Sequence, residues 1–279
     1  MSPLLARLSI ALAALLWSTG GAAIKSVGLD APAIAGGRAL FAAIALFALI
    51  PDARRRPTKG SLLTALAYAA TCILFVFANR LTSAATAIFI QNTAPVWVLL
   101  LGARLLGERA SRAELWSVPI SLAGCLLFFL GDFYAGHASG NLAAFAASFT
   151  YAYLIIRYRQ QSSADGLSSA VLGNVIIVLS MAPLALSGPA PTTADVLAIA
   201  YLGVIQQAAA VFLFIRGVAT VSALEAALLT LLEPMMSPVW AFILVHERPG
   251  LLAVLGAALI LLATVARTIA AQRRPAPAA

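Results

Sequence analysis

The side chain that stands out chemically in this sequence is Glu233, an acid well inside a long apolar run. The run covers residues 217–246, and its other acid, Glu225, lies near the start. A carboxyl group at membrane depth is costly and usually faces a bundle interior or a cavity. Two roles stay open for Glu233. It can take up protons or bind an ammonium group, or it can be a structural side chain that stays protonated and bonds to neighbouring helices.

Other polar and aromatic side chains fall on shared helix faces within the apolar runs. Two such faces hold Ala226, Thr230, Glu233 and Ser237 in one run and Tyr68, Cys72, Phe75 and Asn79 in another. From these faces and similar positions in other runs, we expect a substrate-binding cavity. Its predicted lining is Trp17, Ser18, Phe75, Asn79, Gln91, Asn92, Trp97, Tyr151, Gln206, Gln207, Thr230, Glu233 and Ser237.

This set of side chains consists of amides, hydroxyls and aromatic rings, with few charges. Amides and hydroxyls can bond carboxylate and ammonium groups, and rings can cover an apolar part. The set therefore suits a neutral or zwitterionic solute with an apolar side chain. A phosphorylated solute would need more cations than Arg38, which lies about 9 Å from its helix end and can extend to the membrane surface. The alternatives are helix-to-helix bonds for the glutamines and packing for the aromatic residues.

Three prolines, Pro95, Pro234 and Pro238, lie inside apolar runs. Each removes a backbone hydrogen bond and can bend a helix, so each is a candidate hinge or gating residue, with a static role in helix shape as the alternative. We expect the Glu108-Arg109 and Glu247-Arg248 pairs to cap helix ends and to form loop ion pairs.

The amino-acid composition indicates the class of protein that contains these residues. Of the 279 residues, 62% are hydrophobic and 10% are charged, whereas soluble domains are about 25% charged. These proportions argue against a soluble enzyme and a nucleic-acid binder, and they exclude a disordered chain. Two cysteines and two histidines argue against a disulfide framework and a metal site. We expect no cofactor.

Long apolar runs predict an all-α membrane protein with ten transmembrane helices, since a span needs about 20 apolar residues. Eight runs carry no charged residue: 8–24, 60–79, 81–103, 115–131, 133–156, 166–194, 196–215 and 249–266. Two further runs, 32–51 and 217–246, are interrupted by Arg38 and by Glu225 and Glu233.

Basic residues set the orientation. An N-terminus on the inner side places 14 of the 18 lysines and arginines inside and leaves Lys25, Arg38, Arg80 and Arg248 outside. Both termini are therefore predicted to be cytoplasmic. The net charge of +8 reflects this asymmetry and does not indicate a nucleic-acid partner.

The two halves of the chain resemble each other. Ser83, Pro95 and Glu108 recur 139 residues later as Ser222, Pro234 and Glu247. This register predicts two five-helix repeats, 1–131 and 132–279. Because five is odd, the second repeat enters the membrane from the opposite side, an arrangement typical of alternating-access transporters.

These features resemble the drug/metabolite transporter superfamily of the EamA type. The resemblance rests on residues 14–18 (Ala-Leu-Leu-Trp-Ser), 37–41 (Gly-Arg-Ala-Leu-Phe), 107–109 (Gly-Glu-Arg) after Pro95, 246–248 (His-Glu-Arg) after Pro234, and 147–151 (Ala-Ser-Phe-Thr-Tyr). The chain departs from the family by lacking a Trp near Thr150. Within the superfamily it is most similar to the YddG-type aromatic amino-acid exporters.

The resemblance implies a basket-like bundle with helices one, three, four, six, eight and nine around a central cavity. It implies a secondary transporter in the bacterial inner membrane that exports amino acids, as a monomer or weak dimer in contact with lipid. A broad-specificity exporter of drugs or quaternary cations is the alternative. An intramembrane enzyme is disfavoured because the spans lack a nucleophile–base pair or a metal motif.

Overall fold

The computed structural model of the protein describes residues 1–131, 138–245 and 251–272, and these are helical almost throughout. The helices are α1 Pro3–Ser18, α2 Gly20–Ser26, α3 Ala31–Leu49, α4 Lys59–Leu81, α5 Ala84–Gln91, α6 Ala94–Leu105, α7 Arg112–Gly131, α8 Ala138–Gln160, α9 Ser163–Ala185, α10 Thr193–Tyr201, α11 Ala210–Val218, α12 Ala223–Leu229, α13 Leu232–Val245 and α14 Leu251–Gln272. A π-helical segment, Leu202–Ala209, joins α10 to α11.

Hydroxyl side chains cap the starts of many helices. Ser83 accepts a hydrogen bond from the backbone N–H of Thr86 at the start of α5. Ser222, its counterpart in the second repeat, caps α12 in the same way. Such caps satisfy backbone donors that have no partner within the helix, which is essential where no water reaches them.

Seven helical stretches in the described residues are long and apolar enough to cross a membrane: Pro3–Ser26, Ala31–Leu49, Lys59–Leu81, Thr86–Leu105, Ala138–Gln160, Ser163–Ala185 and Thr193–Val218. Large apolar side chains cover the outside of the bundle, as Leu179, Leu186 and Leu197 show with exposures of 70%, 86% and 67%. A surface of this kind is stable only against lipid or another apolar partner. The chain is thus a multi-pass helical membrane protein.

Three of the predicted spans are broken rather than continuous. Turns interrupt the first at Thr19, the fourth at residues 92–93 and the ninth at residues 230–231. The last two breaks fall at equivalent positions of the two repeats, within one residue. Pro95 and Pro234 each lie in the first turn after a break, where a missing N–H costs no hydrogen bond. These prolines therefore start half-helices and do not bend continuous ones.

Glycines allow the closest helix pairs to approach. A Cβ on Gly173 of α9 would lie 2.6 Å from Cδ1 of Tyr68 and 2.9 Å from the carbonyl oxygen of Ala65 in α4. A Cβ on Gly124 of α7 would lie 2.8 Å from the carbonyl oxygen of Gly256 in α14. Small residues at such positions are how helices pack in membranes.

One end of the bundle is held by an ionic cluster of Arg7, Glu225 and Arg267. Glu225 accepts from Nε of Arg7 at 2.7 Å and pairs with Nη1 of Arg267 at 2.9 Å. The side chain of Arg267 is only 2% exposed, and that of Glu225 is 10% exposed. The cluster therefore ties α1, α12 and α14 together with little screening by solvent.

A second group of polar contacts lies at the same end. Glu108 forms an ion pair with Arg159 at 2.9 Å, and its other oxygen accepts from the backbone N–H of Ala223 at 2.9 Å. The sequence-based expectation for Glu108, a helix cap and a loop ion pair, describes these contacts. Glu247 and Arg248 lie outside the described residues.

The ionic cluster gives a test of stability. In Glu225→Gln, two arginines remain close together without a carboxylate, so we expect the free energy of unfolding to fall by about 3 kcal/mol. Denaturant unfolding in detergent micelles, followed by circular dichroism, measures this change.

Asp52→Asn is the matched control. Its ion pair with Arg216 is 3.7 Å long, and the two side chains are 49% and 51% exposed, so its loss should cost less than about 1 kcal/mol. Equal losses in the two variants would contradict a special role for the ionic cluster.

Candidate functional site

A central cavity lies where α1, α3, α4, α8, α11, the π-helical segment and the broken helices meet. Its lining consists mainly of aromatic rings and amides. The lining residues are Trp17, Arg38, Tyr68, Thr71, Cys72, Phe75, Gln91, Tyr151, Leu154, Tyr158, Gln206, Gln207, Val211, Phe214 and Glu233. Among them, Arg38 carries the one basic side chain and Glu233 the one acidic side chain.

Seven residues of the predicted lining are brought together in this cavity: Trp17, Phe75, Gln91, Tyr151, Gln206, Gln207 and Glu233. Two of them come from the breaks in the helices. Gln91 ends α5, and Glu233 lies in the first turn of α13. The broken helices therefore direct polar groups from both repeats into one space.

Two more predicted residues bond other helices beside the cavity. Ser18 accepts from Nε1 of Trp240 at 2.7 Å, which joins α1 to α13. Trp97 donates from Nε1 to Ser148 at 3.0 Å, which joins α6 to α8. Both contacts join helices and are separate from the cavity lining.

The remaining predicted residues bond their own helices. Asn79 donates to the carbonyl oxygen of Phe75 at 2.9 Å. Asn92 donates to that of Ile88 and Thr230 to that of Ala227, both at 2.8 Å. The side chains of Ser237 and Pro238 lie outside the described part of the chain.

An aromatic cluster of Trp17, Tyr151, Tyr158 and Phe214 forms one wall. The ring centroids of Trp17 and Tyr151 are 6.1 Å apart at an interplanar angle of 86°. Phe214 lies 5.2 Å from Trp17 and 6.4 Å from both tyrosines. Edge and tilted contacts of this kind keep the rings in place and present apolar surface to the cavity.

A polar network of Arg38, Gln207, Tyr68 and Asn174 lies beside the aromatic cluster. Nε of Arg38 donates to Oε1 of Gln207. Nε2 of Gln207 in turn donates to the hydroxyl of Tyr68 at 2.8 Å and to Oδ1 of Asn174 at 2.6 Å. Hydrogen bonds on both sides of the Gln207 amide fix its orientation, so its carbonyl stays directed at the guanidinium.

The position of Arg38 corrects the expectation that its side chain extends to the membrane surface. Arg38 is 4% exposed and lines the cavity. The physical reason is the amide oxygen of Gln207, which offers the guanidinium a partner at depth. A buried cation is stable only with such hydrogen bonds.

Gly203 makes this contact possible. A Cβ at Gly203 would lie 2.5 Å from the carbonyl oxygen of Arg38 and 2.5 Å from Cβ of Phe41. Because Gly203 has no side chain, the π-helical segment can lie directly on α3. π-Helical turns are rare and often occur at functional sites. Here the segment places the successive side chains of Gln206 and Gln207 in the same cavity lining.

Eight lining residues are not among those predicted from the sequence: Arg38, Tyr68, Thr71, Cys72, Leu154, Tyr158, Val211 and Phe214. Helical spacing could have identified several. Tyr68 and Cys72 share the face of Phe75, and Leu154 and Tyr158 follow Tyr151 at i+3 and i+7. No comparable signal identifies Arg38.

Gly203→Ala tests the close approach of the π-helical segment to α3. The added methyl group would overlap backbone atoms, and we expect the free energy of unfolding to fall by about 1–3 kcal/mol. In the control Gly102→Ala, the nearest atom is 4.0 Å away, so stability should stay the same or rise by about 0.5 kcal/mol. Melting temperatures in detergent compare the two variants, and an equally stable Gly203→Ala would contradict the tight contact.

Comparison with known proteins agrees with this architecture. Residues 4–130 and 138–267 match the EamA-like transporter family. A protein of known crystal structure has a similar fold over 96% of this chain and 98% of its own, with a TM-score of 0.79 and 21% sequence identity. No curated protein sequence matches the chain significantly. The two family matches cover most of the sequence, one in each half, and the chain therefore belongs to the EamA-like transporter family of the drug/metabolite transporter superfamily.

Proposed function

We propose that this protein is a secondary transporter that exports amino acids, aromatic and other neutral ones, across the bacterial inner membrane by alternating access. Membership of a transporter family indicates a transporter and not an enzyme. The observation that carries the choice of solute is the central cavity, in which an aromatic cluster lies beside amides, one buried arginine and one buried glutamate. An aromatic amino acid has an apolar ring, a carboxylate and an ammonium group to match these surfaces.

For the topology we propose ten transmembrane helices in two inverted repeats, 1–131 and 132–279, with both termini in the cytoplasm. Contacts at the end of the bundle with the ionic cluster support this orientation. They join Arg7, Arg159 and Arg267 to acids there, and all three arginines are on the predicted inner side. We also propose that the protein acts as a monomer or weak dimer. Within the superfamily, we place it in the YddG-type branch.

Alternating access is supported by the broken helices. Discontinuous helices that meet at a central site are common in transporters with repeated halves, because the ends of half-helices can bind the solute and ions there. The breaks after Gln91 and after Leu229 fall at equivalent positions. Rocking of one repeat against the other would open the cavity to each side in turn.

A broad-specificity exporter of drugs or quaternary cations is the second candidate, because Glu233 lines the cavity. Arg38 argues against it. A solute with only a positive charge would face the buried guanidinium without a group to bond it, and like charges at low dielectric repel strongly. A zwitterionic solute can pair its carboxylate with Arg38 and its ammonium group with Glu233.

A counterflow assay in proteoliposomes distinguishes the two candidates. Vesicles loaded with one unlabelled amino acid at a time should accumulate the labelled form, most strongly for aromatic side chains. A labelled quaternary cation should give little signal. A strong cation signal with no amino-acid signal would reverse the order of the candidates.

The aromatic cluster provides a test at a single residue. Trp17→Ala removes a ring that contacts both Tyr151 and Phe214, and we expect the Kd for an aromatic amino acid to rise about tenfold, which is about 1.4 kcal/mol. Isothermal titration calorimetry in detergent measures this affinity.

Trp97→Ala is the matched control, because Trp97 bonds Ser148 and packs 5.6 Å from Phe145 and from Phe149. Its loss should lower the melting temperature and leave the Kd unchanged. An affinity that depends on Trp97 and not on Trp17 would show that the solute binds elsewhere.

Glu233→Gln tests coupling to protons. If the carboxyl group takes up a proton in each cycle, transport by the wild type changes with external pH, whereas the amide cannot titrate and its variant transports at a rate independent of pH. Uptake rates and affinities at several pH values compare the two. An unchanged rate, affinity and pH profile in the variant would eliminate the coupling role and leave Glu233 a structural residue.

A further inference from the structure

We infer that Arg38 binds the carboxylate of the transported solute and that Gln207 positions its guanidinium for this role. The inference rests on the proposed function and names the residue that distinguishes an amino acid from an amine.

The guanidinium of Arg38 is only partly satisfied by the protein. Nε donates to Gln207, but Nη1 is buried and has no hydrogen-bond partner among the described residues. Buried charged donors without partners are costly and are rare in folded proteins. Because Arg38 lines the cavity, an anion in the cavity is the natural partner for the remaining donors.

The hydrogen bond to Gln207 uses Nε and leaves Nη1 of the guanidinium without a partner among the described residues. The amide of Gln207 is oriented by Tyr68 and Asn174, and it contacts Arg38 through its neutral oxygen. A neutral acceptor holds the side chain in place without neutralising its charge. A planar guanidinium held in this way can bind a carboxylate through two parallel N–H groups. Gln207 is therefore a positioning residue.

Charge in the cavity agrees with a zwitterionic solute. Arg38 and Glu233 are the charged residues of the described lining, so a carboxylate can bind one while an ammonium group binds the other. The aromatic cluster lines the same cavity and can cover the side chain of the solute. A solute without a carboxylate would leave Arg38 without an anionic partner.

Two probes that differ only in the carboxylate test the inference, namely phenylalanine and its decarboxylated form, phenethylamine. Calorimetry in detergent gives the Kd of each. We expect the wild type to bind phenylalanine about 10- to 100-fold more tightly, the usual effect of a hydrogen-bonded charged group. In Arg38→Met this ratio should fall to about one, with phenethylamine bound as in the wild type or more tightly.

Gln207→Glu is a second variant, which keeps the arginine. The new carboxylate would pair with Arg38 and compete with the solute, so the Kd for phenylalanine should rise about tenfold or more while that for phenethylamine does not. This variant decides the question if Arg38→Met fails to fold. Arg80→Met is the control. Arg80 contacts the carbonyl oxygen of Val27 and does not line the cavity, so the ratio should stay as in the wild type.

The outcomes separate the two proposals. If the wild type binds neither probe and transports no amino acid, the proposed function is wrong. If the wild type prefers phenylalanine and both Arg38→Met and Gln207→Glu keep that preference, the carboxylate binds elsewhere and the role of Arg38 is refuted. A wild type that binds both probes equally refutes it as well, although transport of aromatic solutes would stand.

Discussion

Backbone N–H and C=O groups in lipid must find partners within the protein, and short polar side chains add hydrogen bonds to backbone carbonyls at the interruptions in this bundle. At the break in the first span, the hydroxyls of Ser18 and Thr19 donate to carbonyl oxygens one turn earlier. Asn92 and Thr93 do so at the second break, and Thr230 at the third. Short polar side chains therefore reinforce the points where these helices stop and restart. Residues beside all three interruptions, Trp17, Gln91 and Glu233, line the central cavity.

The same constraint explains the buried arginine. A guanidinium at this depth requires acceptors, and one neutral amide supplies the first of them. That amide is in turn held by a phenol and a second amide, so the network extends from α3 to α4 and α9. Its arrangement depends on a glycine in the π-helical segment, since any side chain at Gly203 would separate the segment from α3. Backbone packing thus determines which charge the cavity presents.

Helical spans, family and about half of the cavity lining follow from the sequence, because apolar runs and helical spacing report burial directly. Tyr151 and Gln206 are examples, since each lies on a polar or aromatic face of an apolar run. The breaks could not be predicted, because the runs stay apolar on both sides of them. Asn92 and Thr230 have polar side chains of the kind expected in the cavity, but these side chains bond the ends of their own helices. The burial of Arg38 could not be predicted, because its partner Gln207 is 169 residues away in the sequence.

The ionic cluster makes the two ends of the protein unequal. By the register of 139 residues, the first-repeat counterparts of Glu225 and Arg267 are Thr86 and Phe128, neither of which carries a charge. Two halves that exchange conformations about a pseudo-symmetry axis would have equal energies only if their end contacts were alike. Among the described residues, the ionic cluster lies at one end of the bundle, and the first repeat has no charged counterparts of Glu225 and Arg267. In the proposed alternating-access cycle, opening this end of the bundle would therefore require separating buried charges, and the resting population would favour the state in which this end is shut.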